Sequence, residues 1–205
     1  GKAARVIAVS QNTKEDLRKI FAIPASRIEV IYHGPPRGYL KKFGRVPATL
    51  GKGFFLVVGR LELHKNILRI LEAYHLYQKR GGKRKLVFAG TWGFGYNQFL
   101  KTLRELKLQN VVTLGFVDES LMNGLYSYAQ ALIFPSLYEG FGLPILEAFT
   151  YSLPVLTSNF GATKEIAGEA ALLVNPYDVA EIASGMQRLE EDKKLAELLI
   201  ARGKK

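Results

Sequence analysis

The sequence predicts an α/β fold built on a doubly wound parallel sheet. Six short runs of β-branched and aliphatic residues recur between residues 54 and 174, each apolar on both faces. Segments of about 10–15 residues with helical periodicity separate them. An apolar content of 48% is enough to bury a real core. Strands buried on both faces between crossover helices are stacked βαβ units, so the sheet is Rossmann-like, with ligands at the carboxyl ends of its strands.

The elements follow in order. Residues 6–9 form a β-branched run that leads to Ser10, a good N-cap, and a helix over 12–21 with Leu17, Ile20 and Phe21 on one face. Pro24 closes it, and 27–32 reads as a second strand. Residues 34–53 contain Gly34, Pro35, Pro36, Gly38, Gly44, Pro47, Gly51 and Gly53, the composition of a linker. Strands are then predicted at 54–58, 85–89, 111–114, 131–134, 154–157 and 171–174. Helices are predicted at 66–80, 98–107, 119–128, 144–151, 163–167 and, in two pieces, 179–202. There is no tandem repeat and no low-complexity tract.

The 205 residues fit one or two domains. With no Cys, disulfides, thiolate chemistry and cysteine-ligated metals are excluded. The chain opens Gly1-Lys2-Ala3, from which a piece of a longer protein is expected, and it shows no signal-peptide pattern. Apolar runs such as Phe54-Phe55-Leu56-Val57-Val58 fall well short of the ~20 residues of a membrane-spanning helix, so a cytoplasmic protein is expected.

The net charge of +11 is unevenly spread: residues 1–110 carry 22 basic and 6 acidic side chains, residues 111–205 carry 7 and 12. Nucleic acid, an anionic membrane surface or a phosphate-bearing ligand would each suit the basic part.

Several chemistries fail on spacing. Gly51-Lys52 is followed by Gly53 with no glycine correctly placed upstream, so there is no P-loop. Gly90-Thr91-Trp92-Gly93-Phe94-Gly95 follows a strand but reads G-x-x-G-x-G, not the dinucleotide fingerprint. His33, His64 and His75 have no metal-ligand spacing, and no Ser sits in a G-x-S-x-G turn. The run Lys79-Arg80-Gly81-Gly82-Lys83-Arg84-Lys85 lacks interleaved stacking aromatics and reads as a solvated turn rather than a nucleic-acid surface.

Two constellations remain. Gly59-Arg60 and Lys65 follow the strand at 54–58, placing two cations where an anion binds such a sheet. The second is Pro135-Ser136-Leu137-Tyr138-Glu139-Gly140-Phe141-Gly142-Leu143-Pro144-Ile145-Leu146-Glu147. Here a strand ends, two glycines let backbone approach a ligand, and Pro144 suits the first position of a helix, with Glu147 in about its first turn. Carboxylates accept from sugar hydroxyls and helix N–H groups suit a diphosphate, so the pattern reads as a nucleotide-sugar cradle.

That run resembles the E-x(7)-E signature of the group-1 (family four) retaining glycosyltransferases of GT-B fold. Ile7-Ala8-Val9-Ser10, Val30-Ile31-Tyr32, Val58-Gly59-Arg60-Leu61 with Lys65-Asn66, Gly115-Phe116-Val117 and Ala170-Ala171-Leu172-Leu173-Val174 agree with it in order. The resemblance covers essentially the whole chain. It implies two Rossmann-like domains, with residues 1–50 ending the N-terminal acceptor domain and carrying the hinge, and 51–205 forming the donor-binding domain.

It also implies roles. Arg60 and Lys65 would grip the donor diphosphate beside Gly59, with no metal and no cofactor. Glu139 would bond the donor sugar, and the backbone of Gly140, Phe141 and Gly142 would meet sugar and phosphate. Leu143 would pack near ribose or phosphate, Glu147 would accept from the ribose, and the backbone of Gly115, Phe116 and Val117 would meet the base.

The implied donor is a nucleotide-diphosphate sugar, GDP-mannose or a UDP-hexose, and the acceptor a glycan or lipid-linked saccharide. Surplus cations beyond Arg60 and Lys65 add an expectation of peripheral contact with an anionic membrane; nucleic acid is not an expected partner. A non-catalytic, degenerate transferase-like module and a nucleotide-sugar epimerase of related fold are the alternatives.

Two stretches depart from the family pattern. His33-Gly34-Pro35-Pro36 stands where Asn-Gly and a later Asp are usual at the hinge. Ser152 stands where a glycine is usual, from which a slightly different turn is expected.

Overall fold

The computed structural model describes residues 3–34 and 44–204. Strands β1 (Val6–Ala8) and β2 (Ile28–Val30) pair in parallel and are joined through helix α1 (Gln11–Phe21). The chain then alternates through β3 (Phe55–Val58), α2 (Ile67–Lys79), β4 (Leu86–Ala89), α3 (Tyr96–Glu105), β5 (Val111–Thr113), α4 (Glu119–Tyr128) and β6 (Ala131–Phe134). It continues through α5 (Leu143–Thr150), β7 (Val155–Ser158), α6 (Gly161–Ala167), β8 (Leu172–Val174), α7 (Val179–Glu191) and α8 (Lys193–Gly203). Every expected strand and helix is present, with ends shifted by a residue or two. A 3-10 turn at Leu63–Lys65, unforeseen in the sequence, precedes α2.

The main sheet is entirely parallel, in the order β5-β4-β3-β6-β7-β8. The chain starts in the middle at β3, winds outward to β5, returns to lay β6 beside β3, and winds outward again to β8. The strand order therefore reverses between β3 and β6, and a crevice opens beyond their carboxyl ends.

Alternation along β3 explains why the strands read as continuous apolar runs. Phe55 and Val57 join the core under α2, α3 and α7, while Leu56 and Val58 join the core under α4 and α5. Tyr74 and Tyr77 are fully buried in the first core, and burial raises the pKa of both phenols. Their hydroxyls still find acceptors, the carbonyl of Arg84 (2.8 Å) for Tyr74 and Glu190 for Tyr77.

Three local details differ from expectation. Gly142 is the N-cap of α5, so Leu143 is its first residue and Pro144 its second; Glu147 is then in the second turn. At the other end of α5, Ser152 has φ 54, and Ser152 N–H and Leu153 N–H donate to the carbonyls of Phe149 (3.0 Å) and Ala148 (2.9 Å). This closes the helix with the left-handed residue that glycine adopts freely, so the turn is retained despite the serine. Of the glycine- and proline-rich stretch, residues 35–43 lie outside the described residues. Residues 44–53 form no strand or helix, yet Leu50 is buried in the second core.

The β1–α1–β2 unit docks through polar contacts. Glu165 on α6 accepts from the backbone N–H of Gln11 (2.7 Å) and Asn12 (3.0 Å) and from the Tyr32 hydroxyl (2.8 Å). A carboxylate at the first turn of α1 satisfies N–H groups that the helix itself leaves open. Ser10 caps the same turn, accepting from Thr13 N–H. The apolar side chains of this unit are largely uncovered: Ile7, Ile20 and Phe21 are each more than 60% exposed. Among the described residues no helix is long and apolar enough to cross a membrane.

Two stability measurements follow. A left-handed non-glycine residue costs about 1–2 kcal/mol, partly offset by the extra chain entropy of glycine. Ser152→Gly is expected to raise Tm by about 1–3 °C; a lowered Tm would contradict the strain. Glu165→Ala is expected to speed amide exchange in α1 by an amount equivalent to about 1–2 kcal/mol, leaving β3 and β6 protected. Unchanged exchange at Gln11 and Asn12 would contradict the clamp.

Candidate functional site

The two constellations meet at the crevice. Where β3 ends, Gly59 has φ +120, and its N–H donates to the Ala89 carbonyl (3.0 Å). The exit of β4 presses against it: a Cβ on Gly90 would lie 1.8 Å from the Gly59 carbonyl oxygen, so only glycine fits there. Arg60 projects outward, its side chain 68% exposed, with Nε 3.0 Å from Glu62 Oε1, while His64 Nδ1 lies 3.3 Å from the other oxygen. An exposed pair of this kind is worth about 0–1 kcal/mol, so little holds Arg60 back from a stronger anion.

The 63–65 turn carries Lys65 inward. Its Nζ donates to Glu139 Oε1 at 2.6 Å and sits 4.8 Å from the centroid of the Phe134 ring. Both side chains are largely buried, at 15% and 13% exposure. Lys65 has three N–H donors, and the bond to Glu139 uses one.

Where β6 ends, Pro135 and Ser136 are buried, and the chain turns through Glu139 to the start of α5. The Gly140 carbonyl accepts from the hydroxyls of Ser10 (2.7 Å) and Thr13 (2.9 Å), across from the β1–α1–β2 unit. Tyr138 reaches the same unit and donates to Asp16 (2.9 Å); this bond, then burial, raises the Tyr138 pKa. The Tyr32 pKa is likewise raised, chiefly by its bond to Glu165. Phe141 is buried edge-on against His33, with centroids 5.0 Å apart, next to Tyr32.

Glycine is required by conformation at 142, where φ is +103; at 140 a Cβ would meet Thr13 Oγ1 only at 3.8 Å. No described residue accepts a hydrogen bond from the backbone N–H of Gly140, Phe141, Gly142 or Leu143.

The remaining candidates flank this centre. Gly115 follows β5 with φ +67, and its carbonyl accepts from Gly90 N–H (2.8 Å). Phe116 is 80% exposed beside it, Val117 packs against the second core, and Leu143 is exposed at the head of α5. Glu147 accepts a hydrogen bond from Tyr126 on α4, whose ring stacks on Tyr151 at 5.4 Å.

The structure thus brings Gly59, Lys65 and Glu139 together and keeps Arg60 at the mouth. It sets Gly115–Val117 two strands away and hands Glu147 to Tyr126. Glu62, Thr13 and Glu165, not singled out in the sequence, and Ser10 and Asn66, noted there only as a helix cap and within the family resemblance, make contacts around the crevice. Apart from those of Glu62, whose partners Arg60 and His64 are two residues away, these contacts join distant segments, which no local spacing signals.

A concavity of about 640 Å³, lined by Leu146, Phe149, Ile166 and Arg202, contains none of the candidate residues. The candidate site is instead the open crevice, with a smaller cavity of about 160 Å³ beside Glu139 against Asn12 and Asp16. Among the described residues no group of three or more His, Asp or Glu side chains is placed to hold a metal ion.

Comparison with known proteins agrees with this fold. Residues 41–205 match the family described as glycosyl transferases group 1. The chain is 30% identical to O-antigen chain mannosyltransferase B of Escherichia coli, covering 98% of this chain and 55% of that protein. It is 28% identical to the O-antigen chain mannosyltransferase RfbU of Salmonella typhimurium, covering 93% and 52%. The chain spans about half the length of these relatives. Among solved structures, sucrose-phosphate synthase of Thermosynechococcus elongatus superposes with a TM-score of 0.82 at 25% identity, over 98% of this chain and 53% of that one. The sequence signature, the reversed parallel sheet and the family match converge: this chain belongs to the group 1 glycosyl transferases.

Proposed function

We propose that the chain is the donor-binding part of a retaining, metal-independent hexosyltransferase. It takes a hexose from a nucleotide-diphosphate sugar, GDP-mannose or a UDP-hexose, and delivers it to a glycan or lipid-linked acceptor. The observation that carries this reading is the Lys65–Glu139 pair, a cation and a hydroxyl acceptor 2.6 Å apart at the switch point. The two mannosyltransferase relatives support mannose as the hexose.

In this reading the donor runs in order along the strand ends. The Gly115-Phe116-Val117 backbone at β5 meets the base, Arg60 and Lys65 beside Gly59 meet the diphosphate, and Glu139 at β6 meets the sugar hydroxyls. The N–H groups of Gly140, Phe141, Gly142 and Leu143, unused within the described residues, are donors available to sugar and phosphate at the start of α5. The side chain of Leu143 borders the ribose, and Glu147, held by Tyr126, accepts from it.

In the transfer, the bond between the anomeric carbon and the diphosphate oxygen breaks. The leaving oxygen takes negative charge, and Arg60 and Lys65 stabilise it through charge-assisted hydrogen bonds. The acceptor hydroxyl attacks from the same face and passes its proton to the leaving diphosphate, which gives retention. Cations from side chains supply what a divalent metal otherwise provides. Glu139 is committed to Lys65 and acts as a sugar ligand, not as a nucleophile. The uncovered apolar side chains Ile7, Ile20 and Phe21 are the face on which the rest of a longer protein, carrying the acceptor site, is seated. The Lys79–Lys85 run lies at the amino ends of the strands, away from the donor, and is the face offered to anionic lipid.

Titration calorimetry with GDP, UDP and their sugars tests the donor assignment. Binding unaffected by EDTA is expected. Lys65→Ala should weaken nucleotide binding by about 10–100-fold, the worth of a hydrogen bond to a charged group. Glu139→Gln should keep the bare nucleotide and lose the added affinity of the sugar. No binding of any nucleotide sugar would overturn the assignment. In the complete enzyme, mass spectrometry during turnover should find no glycosyl adduct on Glu139, and a trapped adduct would replace same-face attack with double displacement.

A further inference from the structure

Lys65 and Glu139 come from loops that are 74 residues apart in the chain, and something must set their separation. The residue next to Lys65 does this. Asn66 is 2% exposed and adopts φ 63, ψ 28, a left-handed conformation open to glycine and tolerated by asparagine. It stands at the N-cap of α2, where an asparagine side chain ordinarily accepts from the helix's own N–H groups, but it makes no such bond. Its amide is spent elsewhere. Nδ2 donates to the carbonyl of Pro135, directly after β6, at 3.0 Å, and to the carbonyl of Pro176, after β8, at 2.6 Å. Oδ1 accepts from Arg69 Nη1 at 3.2 Å. Both amide hydrogens and the oxygen are therefore engaged inside the protein.

A second tie lies on the other side of Lys65, where Leu137 N–H donates to the His64 carbonyl at 2.7 Å. Lys65 is thus held between two bonds to the 135–137 segment that delivers Glu139 two residues later. Glycine would supply the backbone conformation at 66 without any of the bridging bonds.

We infer that Asn66 is a positioning residue of the donor site. Its side chain locks the Lys65 turn onto the Glu139 loop so that Lys65 presents its remaining N–H groups to a diphosphate. This rests on the reading of Lys65 as a diphosphate ligand.

The test is a double-mutant cycle on GDP and UDP binding by calorimetry with the wild type, N66G, K65M and K65M/N66G. Asn66→Gly keeps the left-handed backbone and is expected to weaken nucleotide binding about tenfold at temperatures where circular dichroism shows it folded. In the K65M background the same substitution should change affinity less than twofold, because Lys65 is then no longer there to misplace. Equal losses in both backgrounds, or N66G binding as tightly as wild type, would overturn the inference while leaving the donor assignment standing. If the wild type binds neither nucleotide, the donor assignment fails and this inference with it. Should N66G not fold, the wild type still decides: the Asn66 side-chain amide protons must exchange slowly by NMR, and fast exchange refutes the bridge.

Discussion

Everything at the crevice depends on one contact, the ion pair between Lys65 and Glu139. Bringing a lysine and a glutamate out of water costs several kcal/mol per charge unless each is well bonded. Here the two meet at 2.6 Å, Phe134 offers its ring to the ammonium, and the flanking backbone is pinned by Asn66 and by the Leu137–His64 bond. The pair is therefore held in place, largely out of water, by the groups around it. Arg60 is different in kind. It is exposed and loosely held by Glu62, so its side chain can reorient at little cost.

The sheet makes the pair possible. Because β6 pairs with β3, the loops after these strands are neighbours however far apart they lie in sequence. Close approach of the strand exits then becomes a constraint on residue type. Gly90 must be glycine because the Gly59 carbonyl occupies the place of a side chain, and position 142 favours glycine because its φ of +103 lies beyond the left-handed values that Asn66 and Ser152 adopt. The β1–α1–β2 unit adds a further restraint. Ser10 and Thr13 bond the Gly140 carbonyl, next to Glu139, and Glu165 holds the first turn of α1, so the position of that unit and of the Glu139 loop are physically linked.

Much of this was legible in the residues. Apolar runs without alternation announced strands buried on both faces, and β3 confirms it by sending Phe55 and Val57 to one core and Leu56 and Val58 to the other. Both constellations stood out because their cations, carboxylates and glycines are clustered locally. Local clustering also set the limit. Nothing in the spacing of Gly142, Pro144 and Glu147 showed that α5 starts at Leu143, which moves Glu147 one position further into the helix, where it meets Tyr126. The serine at 152 read as a different turn, but the hydrogen bonds of the helix end compel the left-handed conformation whatever the side chain.

The residues alone were enough to read the class of fold, the order of its elements, the family resemblance and the two loops that meet at the crevice, because periodicity, glycine placement and charge are properties of short stretches of chain. Which of those residues touch was set by the packing of the chain in three dimensions. The pairing of β3 with β6 set Lys65 on Glu139, and the buried amide of Asn66 found two carbonyls on separate loops. These are contacts between segments 69 to 110 residues apart, set by sheet topology and the need to satisfy every buried polar group, and no local pattern encodes them.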